Sequence, residues 1–231
     1  MLAFFLILIS GERTAWANFF IFLFFFSVLE KKIFLWMMFS LSIIFFIIFQ
    51  FKKESIERAI LHTIKQTEIG SNKLIIFSTR HTFHYLTAYE IFKDHPILGA
   101  GIKSFRELCS KEEYIKKLEK NYSEQLNSSE LVDGCNTHPH HIYLQFLQEI
   151  GIVGFGFFLS MFLYITYNIF VLFKNLLFNF ISKEDKANYL FLVGVFISMF
   201  PFLPSGNYFN NWYIFINYLP IGFYLASRIK R

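Results

Sequence analysis

Three histidines stand close together in the stretch GCNTHPHHIYLQFLQEIGIVG, residues 134–154, just before a long apolar run. Imidazole is the side chain whose ordinary pKa lies nearest neutrality, and it serves as a general base or as a metal ligand. The spacing of His138, His140 and His141 is compatible with three interpretations. One is a base that activates a hydroxyl group, another is a zinc site, and the third is a set of polar residues that cap and solvate a helix.

Polar residues continue from these histidines into the apolar run. Pro139 is typical of the first position of a helix, and a helix that begins there holds His140 and His141 in its first turn. His141 and Gln145 then share one face, with Glu149 beside them. The positive end of the helix dipole disfavours a protonated imidazole, so it favours a neutral histidine that acts as a base near a bound anion.

Zinc is the less favoured of these interpretations. A structural zinc ion takes four protein ligands, and a catalytic one usually takes three with an acid or a cysteine nearby. The sequence contains neither an HExxH nor a CxxC pattern. We therefore predict that the protein uses no metal and no other cofactor.

Two arginines are candidates for binding phosphate. Arg13 lies in SGERTAWA (10–17), and Arg80 lies in STRHTFHYLTAYEIFKD (78–94). The planar fork of arginine binds two phosphate oxygens at once. Each arginine also has an ordinary explanation, since Arg13 could pair with Glu12 or snorkel, and Arg80 could be a surface residue. Together with a histidine at a membrane–water boundary, the two arginines predict a clamp for a lipid-linked pyrophosphate.

Cys109 and Cys135 are the two cysteines of the chain. In an oxidising compartment such a pair forms a disulfide, and two free thiols are the alternative. We predict the disulfide, which would anchor the residues just before the histidines.

The elements that hold these residues are predicted from the placement of charge. The chain of 231 residues is 55% hydrophobic, with a mean hydropathy of +0.43, which is too apolar for a soluble domain of this size. A membrane-spanning helix needs about 20 apolar residues. Long gaps between charged residues predict membrane spans near 14–29, 33–51, 150–173, 188–204 and 212–227, with a shorter apolar stub at 2–9.

The basic residues of the short connections indicate orientation, because cytoplasmic loops are rich in Lys and Arg. Lys31, Lys174 and Arg228 lie at such basic ends, so we predict a cytoplasmic C-terminus. Residues 52–141 then form one extracytoplasmic loop, whose nearly balanced charge argues against binding to nucleic acid. Helical patterns within this loop cover 55–69, 78–94 and 110–126.

The predicted fold class is therefore all-α, a polytopic transmembrane helical bundle with a large helical loop. We divide the chain into transmembrane helices at 1–51, of which the first is truncated, a loop domain at 52–141, and C-terminal transmembrane helices at 142–231.

Three stretches, in this order and around a large loop, resemble the O-antigen ligase and O-antigen polymerase superfamily of bacterial envelope glycosyltransferases. They are SGERTAWA (10–17), STRHTFHYLTAYEIFKDHPILGAGIKSF (78–105) and THPHHIYLQFLQEIGIVG (137–154). The resemblance covers nearly the whole chain. Members of this superfamily have roughly twice as many spans, which implies that the chain corresponds to a C-terminal portion that is truncated, inactive alone or dependent on a partner.

The resemblance implies roles for the candidate residues. Arg13 and Arg80 match arginines that engage the pyrophosphate of an undecaprenyl-linked glycan, and His140 matches the histidine that acts at the acceptor hydroxyl. Glu149 matches the acidic position of the last motif, and we add His138 and Gln145 as substrate-binding candidates. His141 stands where the superfamily usually has asparagine, which leaves open which histidine acts. We predict that His140 is the base and that His138 and His141 shape or cap the start of the helix. Glu12 replaces a small residue, and could pair with Arg13.

The function implied is an O-antigen ligase that moves a glycan from undecaprenyl diphosphate to lipid A-core, with inversion and without a metal. The alternatives are an O-antigen polymerase with a growing glycan as acceptor, a protein O-oligosaccharyltransferase, and, from another class, a non-enzymatic transporter or assembly subunit. The expected location is the bacterial inner membrane, in contact with membrane lipid and with the 52–141 loop in the periplasm.

Overall fold

The computed structural model describes residues 6–7, 12–51, 78–122, 134–178 and 182–229. Every regular element in these ranges is an α-helix and none is a strand, which confirms the predicted all-α class. The helix predicted at 55–69 and most of the stub at 2–9 lie outside the described residues. The helices are α1 (Arg13–Phe26), α2 (Lys31–Phe51), α3 (Thr79–Asp94), α4 (Phe105–Leu108), α5 (Glu112–Tyr122), α6 (Ile142–Phe178), α7 (Lys183–Ser198) and α8 (Asn211–Ile229).

One helix of the described residues, α6, is long and apolar enough to cross a membrane, and α1 is a shorter apolar helix. The span predicted at 150–173 lies within α6. The other four predicted spans overlap helices α1, α2, α7 and α8. That these four helices also cross the membrane, as the polytopic bundle requires, stays a prediction.

The chain divides into two compact units. The first comprises Met1–Thr63, Tyr164–Phe200 and Ile216–Arg231, and the second comprises Ile64–Leu163 and Pro201–Phe215. The division proposed from the sequence, at 1–51, 52–141 and 142–231, concerns membrane topology and stays a prediction.

Aromatic and aliphatic side chains hold the first unit together. Leu23 of α1 and Leu41 of α2 form a small buried cluster, against which Trp16 packs. Phe25 lies with its ring edge-on to Tyr189 of α7, whose hydroxyl donates to the Phe25 carbonyl at 3.2 Å. An ion pair between Lys186 Nζ and Glu30 Oε1, at 2.9 Å, links the start of α7 to the residue before α2.

The second unit is built on α3, whose first turn carries Arg80. The predicted helix at 78–94 is confirmed, since α3 covers Thr79–Asp94 and is capped by Ser78, whose Oγ accepts a hydrogen bond from the His81 backbone nitrogen. A serine at this position satisfies a backbone donor that the helix itself leaves open. The helix predicted at 110–126 is also present, as α5.

Helices α3 and α5 pack together through a mixed interface. Glu90 of α3 is buried, and its Oε1 accepts hydrogen bonds from Lys93 Nζ at 2.6 Å, Tyr122 OH at 3.0 Å and Asn121 Nδ2 at 3.2 Å. Buried charge requires such partners, because an unpaired carboxylate in an apolar interior is costly. Ile91, also in α3, is fully buried in the apolar part of the interface.

A disulfide joins Cys109, just after α4, to Cys135, with the two Cα atoms 5.0 Å apart. Phe105 and Tyr114 are buried with Cys109 in the same cluster. The covalent link therefore attaches the residues before the histidine segment to the packed α3–α5 region.

Candidate active site

Helix α6 begins at Ile142, so the prediction that it begins at Pro139 is wrong. His140 has a φ of 57°, in the left-handed region, and a residue in that conformation cannot belong to a right-handed helix. His141 instead caps the helix: its Nδ1 accepts from the Leu144 backbone nitrogen at 3.4 Å, and its carbonyl accepts from the Gln145 nitrogen at 2.8 Å.

His141 also has a backbone hydrogen bond to Pro201, in which the imidazole donates because proline has no N–H. This contact raises the pKa of the ring, against the larger effect of burial. Which of His140 and His141 acts as the base stays a prediction.

Helix α6 is interrupted at Gly151, where φ is 67° and ψ is −172°. The turn that follows α3 supplies hydrogen-bond partners at this break. Pro96 O accepts from the Ile152 nitrogen at 2.8 Å, and Gly101 N donates to the Glu149 carbonyl at 2.9 Å. The proline-and-glycine turn and the QEIGIVG segment are therefore interlocked through their backbones.

The polar stripe of α6 is buried and bonded to other parts of the second unit. Gln145 Nε2 donates to Asn207 Oδ1 at 2.7 Å and to Glu149 Oε1 at 3.2 Å, and Gln145 Oε1 accepts from the Tyr208 nitrogen at 3.0 Å. Glu149 Oε2 accepts from the Lys103 nitrogen at 2.7 Å. Gln145 and Glu149 thus fasten two loops to α6; their predicted contact with substrate stays a prediction.

His140 lies at the centre of a group of imidazole rings, which we call the histidine cluster: His81, His84, His138 and His140. The centroid of the His140 ring is 4.1 Å from that of His138, 5.4 Å from His81 and 5.5 Å from His84. His81 and His84 come from α3, so the cluster joins two distant segments of the chain.

Asn136 determines which nitrogen of His140 carries the proton. Asn136 Oδ1 accepts from the Thr137 nitrogen at 2.7 Å, so its Nδ2 faces His140 Nε2, at 3.0 Å. Because an amide nitrogen can only donate, His140 Nε2 is the acceptor and the proton of the neutral ring is on Nδ1. The unprotonated nitrogen is thus directed at a hydrogen-bond donor.

The neighbouring rings are held in defined positions. His138 Nε2 donates to the Ser205 carbonyl at 3.3 Å, and His84 Nδ1 donates to the Gly134 carbonyl at 3.1 Å. The Ser205 nitrogen donates to the His140 carbonyl at 2.9 Å, which ties the left-handed residue to the loop before α8. The Ser205 hydroxyl oxygen is buried and has no hydrogen-bond partner among the residues that the structure describes.

Burial favours the neutral form of His138, His140 and His141. Together with the smaller effect of charge on His138, His84 and His81, it lowers the pKa of His140 to about 4. Burial also lowers the pKa of His138 and of His141. An imidazole that stays unprotonated at neutral pH has its lone pair available to accept a proton.

The two candidate arginines lie in different units. Arg80 is exposed in the first turn of α3 and directly precedes His81, so its backbone lies beside the histidine cluster. Arg13 is the first residue of α1 in the first unit, and it is partly buried. Its predicted part in binding pyrophosphate stays a prediction.

Sequence reasoning did not single out His81, His84 or Asn136. The signal for the first two was available, because His81 and His84 are three residues apart and so lie on one face of the predicted helix. Asn136 had no such signal, since its contact with His140 depends on the turn at 136–141. In the part of the chain that the structure describes, no group of three or more His, Cys, Asp or Glu side chains could hold a metal ion.

In the described residues, one helix, α6, is long and apolar enough to cross a membrane, and the histidine cluster lies near the start of this helix. Residues 1–159 match the sequence model described as O-antigen ligase, and the chain therefore belongs to that family. The family is membrane-associated and glycosyltransferase-like. Comparison with curated proteins and with solved structures found no match.

Proposed function

We propose that the protein transfers a glycan from undecaprenyl diphosphate to a sugar hydroxyl of lipid A-core, at the periplasmic face of the bacterial inner membrane. The observation that carries this proposal is the arrangement at His140. Its Nε2 is unprotonated, the pKa of its ring is lowered by burial, and an N–H donor already occupies the position that a hydroxyl would take.

In the proposed reaction, the acceptor hydroxyl oxygen attacks the anomeric carbon of the donor glycan. The new C–O bond forms as the bond between that carbon and the phosphate oxygen breaks, and undecaprenyl diphosphate leaves with the electron pair. The hydroxyl proton passes to His140 Nε2, where the acceptor hydroxyl takes the place of the Asn136 amide. Direct displacement of this kind inverts the anomeric centre.

Positive charge is needed where the diphosphate leaves, because fixed cations stabilise charge that develops in the transition state. Arg80 supplies it from the first turn of α3, one residue before His81 of the histidine cluster. The second cation is Arg13, in the role that the family resemblance implies. His138 orients the ring of His140, since the two centroids are 4.1 Å apart and His138 is itself held by the Ser205 carbonyl.

Reconstituted transfer tests this proposal. The protein in vesicles would be supplied with an undecaprenyl-diphosphate glycan and with lipid A-core, and the glycolipid product measured. His140→Ala is expected to lower the rate by about 10²-fold or more, the usual contribution of a general base. His95→Ala is the matched control, because His95 is exposed and lies outside the histidine cluster.

For Arg80, the informative pair is Arg80→Ala and Arg80→Lys. Lysine keeps the charge but loses the two-oxygen fork, so its rate should fall between those of alanine and the natural residue. Full transfer by His140→Ala and Arg80→Ala would show that these residues are neither the base nor the cation, whereas no transfer by the natural protein would support the non-enzymatic class. Replacement of lipid A-core by a second glycan unit or by an acceptor protein distinguishes the ligase from the polymerase and from the protein-directed transferase.

The proposal also requires a particular orientation of the chain in the membrane. Residues 52–141 must face the periplasm and residue 231 the cytoplasm, with the chain crossing the membrane at 1–51 and again at 142–231. Reporter enzymes that are active on one side only, fused after residue 110 and after residue 231, test this arrangement. If the reporter fused after residue 110 were active in the cytoplasm, the histidine cluster would lie on the opposite side of the membrane from both substrates, and the proposal would be wrong.

A further inference from the structure

Apolar side chains are exposed on the turn that follows α3, although this turn belongs to the segment predicted as a periplasmic loop. Ile97 is 64% exposed and Leu98 is 74% exposed. A short turn in water normally carries polar residues, because exposed apolar surface costs about 25 cal/mol for each Å² kept in contact with water. Two adjacent large aliphatic side chains at its tip therefore require an explanation.

The turn is attached to the candidate membrane-spanning helix α6. The Ile152 nitrogen donates to the Pro96 carbonyl at 2.8 Å, and the Val153 nitrogen donates to the Ile97 carbonyl at 3.3 Å. Ile152 and Val153 are themselves exposed, and Phe157, one turn further along α6, is 75% exposed. We call the set Ile97, Leu98, Ile152, Val153 and Phe157 the apolar tip.

Charge next to the apolar tip suits a lipid surface. Lys103 and Arg106 follow the turn within a few residues, and both are exposed. Basic side chains beside an apolar surface are typical of segments that lie at the boundary between lipid phosphates and acyl chains. The apolar tip is also continuous with α6, whose composition already suits the hydrocarbon of a bilayer.

We propose that the turn at 96–98 inserts into the bilayer beside α6, so that the apolar tip is covered by lipid and the membrane surface lies near Gly151. The nine residue-to-residue steps from Ile142 to Gly151 rise about 14 Å along a helix. The start of α6, with the histidine cluster, then lies on the water side of the lipid headgroups. A lipid-linked diphosphate has its phosphates among the headgroups, so the sugar attached to them extends towards the histidine cluster.

Fluorescence quenching tests the insertion. An environment-sensitive dye is attached to Leu98→Cys in the full chain, without reductant, so that the Cys109–Cys135 disulfide stays closed. The protein is placed in vesicles of phosphatidylethanolamine and phosphatidylglycerol. Lys116→Cys, at an exposed position of α5, carries the same dye as the matched control.

The dye at 98 is expected to be shifted to the blue and quenched by a lipid with a nitroxide near its headgroup. This quenching should be at least about twofold stronger than at 116, whereas aqueous iodide should quench mainly the dye at 116. Equal access of iodide to both positions would overturn the proposal. So would dependence of the signal at 98 on the protein-to-lipid ratio, which would assign the apolar tip to contact between two copies of the chain.

A third occupant, the polyprenyl chain of the donor, is tested by addition of undecaprenyl phosphate. Displacement of the nitroxide lipid from position 98 by this compound would overturn the assignment to the bilayer. The vesicles contain no glycan donor and no acceptor, and the readout does not depend on transfer. Failure of the insertion is therefore distinguishable from failure of the proposed transferase activity.

Discussion

Gly99 and Gly151 face each other at the break in α6, each in a backbone conformation with positive φ, 75° and 67°. A Cβ atom on Gly151 would lie 2.5 Å from the Gly99 nitrogen, and one on Gly99 would overlap the backbone of Glu149 and Ile150. The two glycines allow the turn after α3 to contact the segment that carries Glu149. They are far apart in the sequence, yet their backbones are in direct contact in the folded protein.

Alanine at either glycine is expected to destabilise the protein. Gly99→Ala and Gly151→Ala combine an unfavourable φ with a backbone overlap, so each should cost about 2 kcal/mol or more and lower the melting temperature by several degrees. The measurement is thermal unfolding in detergent. Gly156→Ala is the matched control, because a Cβ there would have no atom within 4 Å. Equal melting temperatures for all three variants would show that the close backbone contact at Gly99 and Gly151 does not require glycine.

His141 is expected to contribute stability rather than proton transfer. His141→Ala removes the side-chain cap of α6 and should cost about 1 kcal/mol, with transfer reduced only several-fold. His141→Asn should restore the melting temperature, since asparagine is a favoured capping residue. Paired melting and transfer measurements distinguish the two roles. If His141→Ala abolished transfer and left the melting temperature unchanged, His141 and not His140 would be the base.

The pH dependence of transfer should report the lowered pKa of His140. With that pKa at about 4, the base remains unprotonated at pH 5, so the rate should hold from pH 7 to about 5 and fall as the pH approaches 4. Initial rates at constant ionic strength give the profile. A fall centred near pH 6.5, the ordinary value for histidine, would mean that the working imidazole is not buried with His138, His84 and His81.

The same shift predicts the sign of the pH effect on stability. Between pH 6.5 and 4, His140 is protonated in the unfolded chain but stays neutral in the folded protein. The free energy of unfolding should therefore decrease as the pH falls from 6.5 towards 4. Above pH 7 this residue should add no pH dependence, because it is neutral in both states. Replacement of His140 by glutamine should make the free energy of unfolding less dependent on pH between 6.5 and 4.

The disulfide should stabilise the segment that carries Asn136. For the loop between Cys109 and Cys135 the chain-entropy relation gives about 3.5 kcal/mol, so the Cys109→Ser/Cys135→Ser variant should unfold at a lower temperature. Thiol alkylation of the denatured natural chain, followed by mass measurement, should add label only after reduction. Reductant should not change the melting temperature of the double variant, which serves as the control. Labelling without reductant would show that the thiols are free.

Local physics accounts for what could be predicted about the fold. The bounds of α3 follow from a capping serine at 78 and from the proline and glycines after 95, and these signals act within a few residues of each other. The apolar run that became α6 could be read from the absence of charge alone. The family could be identified from three short motifs in order.

The candidate site could be predicted only in part. The spacing of His138, His140 and His141 marked the segment, but the start of the helix was placed at Pro139, because that position suits proline in general. His140 is in the left-handed conformation, and its carbonyl accepts a hydrogen bond from the nitrogen of Ser205, a residue from a distant loop. Sequence periodicity carries no information about such a contact.

By itself, the sequence determined the helical class, the long apolar helix, the chemistry available in three histidines, and membership of the family. Only the tertiary structure decided that the helix starts after His141, that the His140 ring faces the Asn136 amide, and that His81 and His84 of α3 join it. The reason is physical: helix formation is governed by neighbours in the chain, whereas burial, pKa and ring contacts are set by segments that meet only when the chain packs.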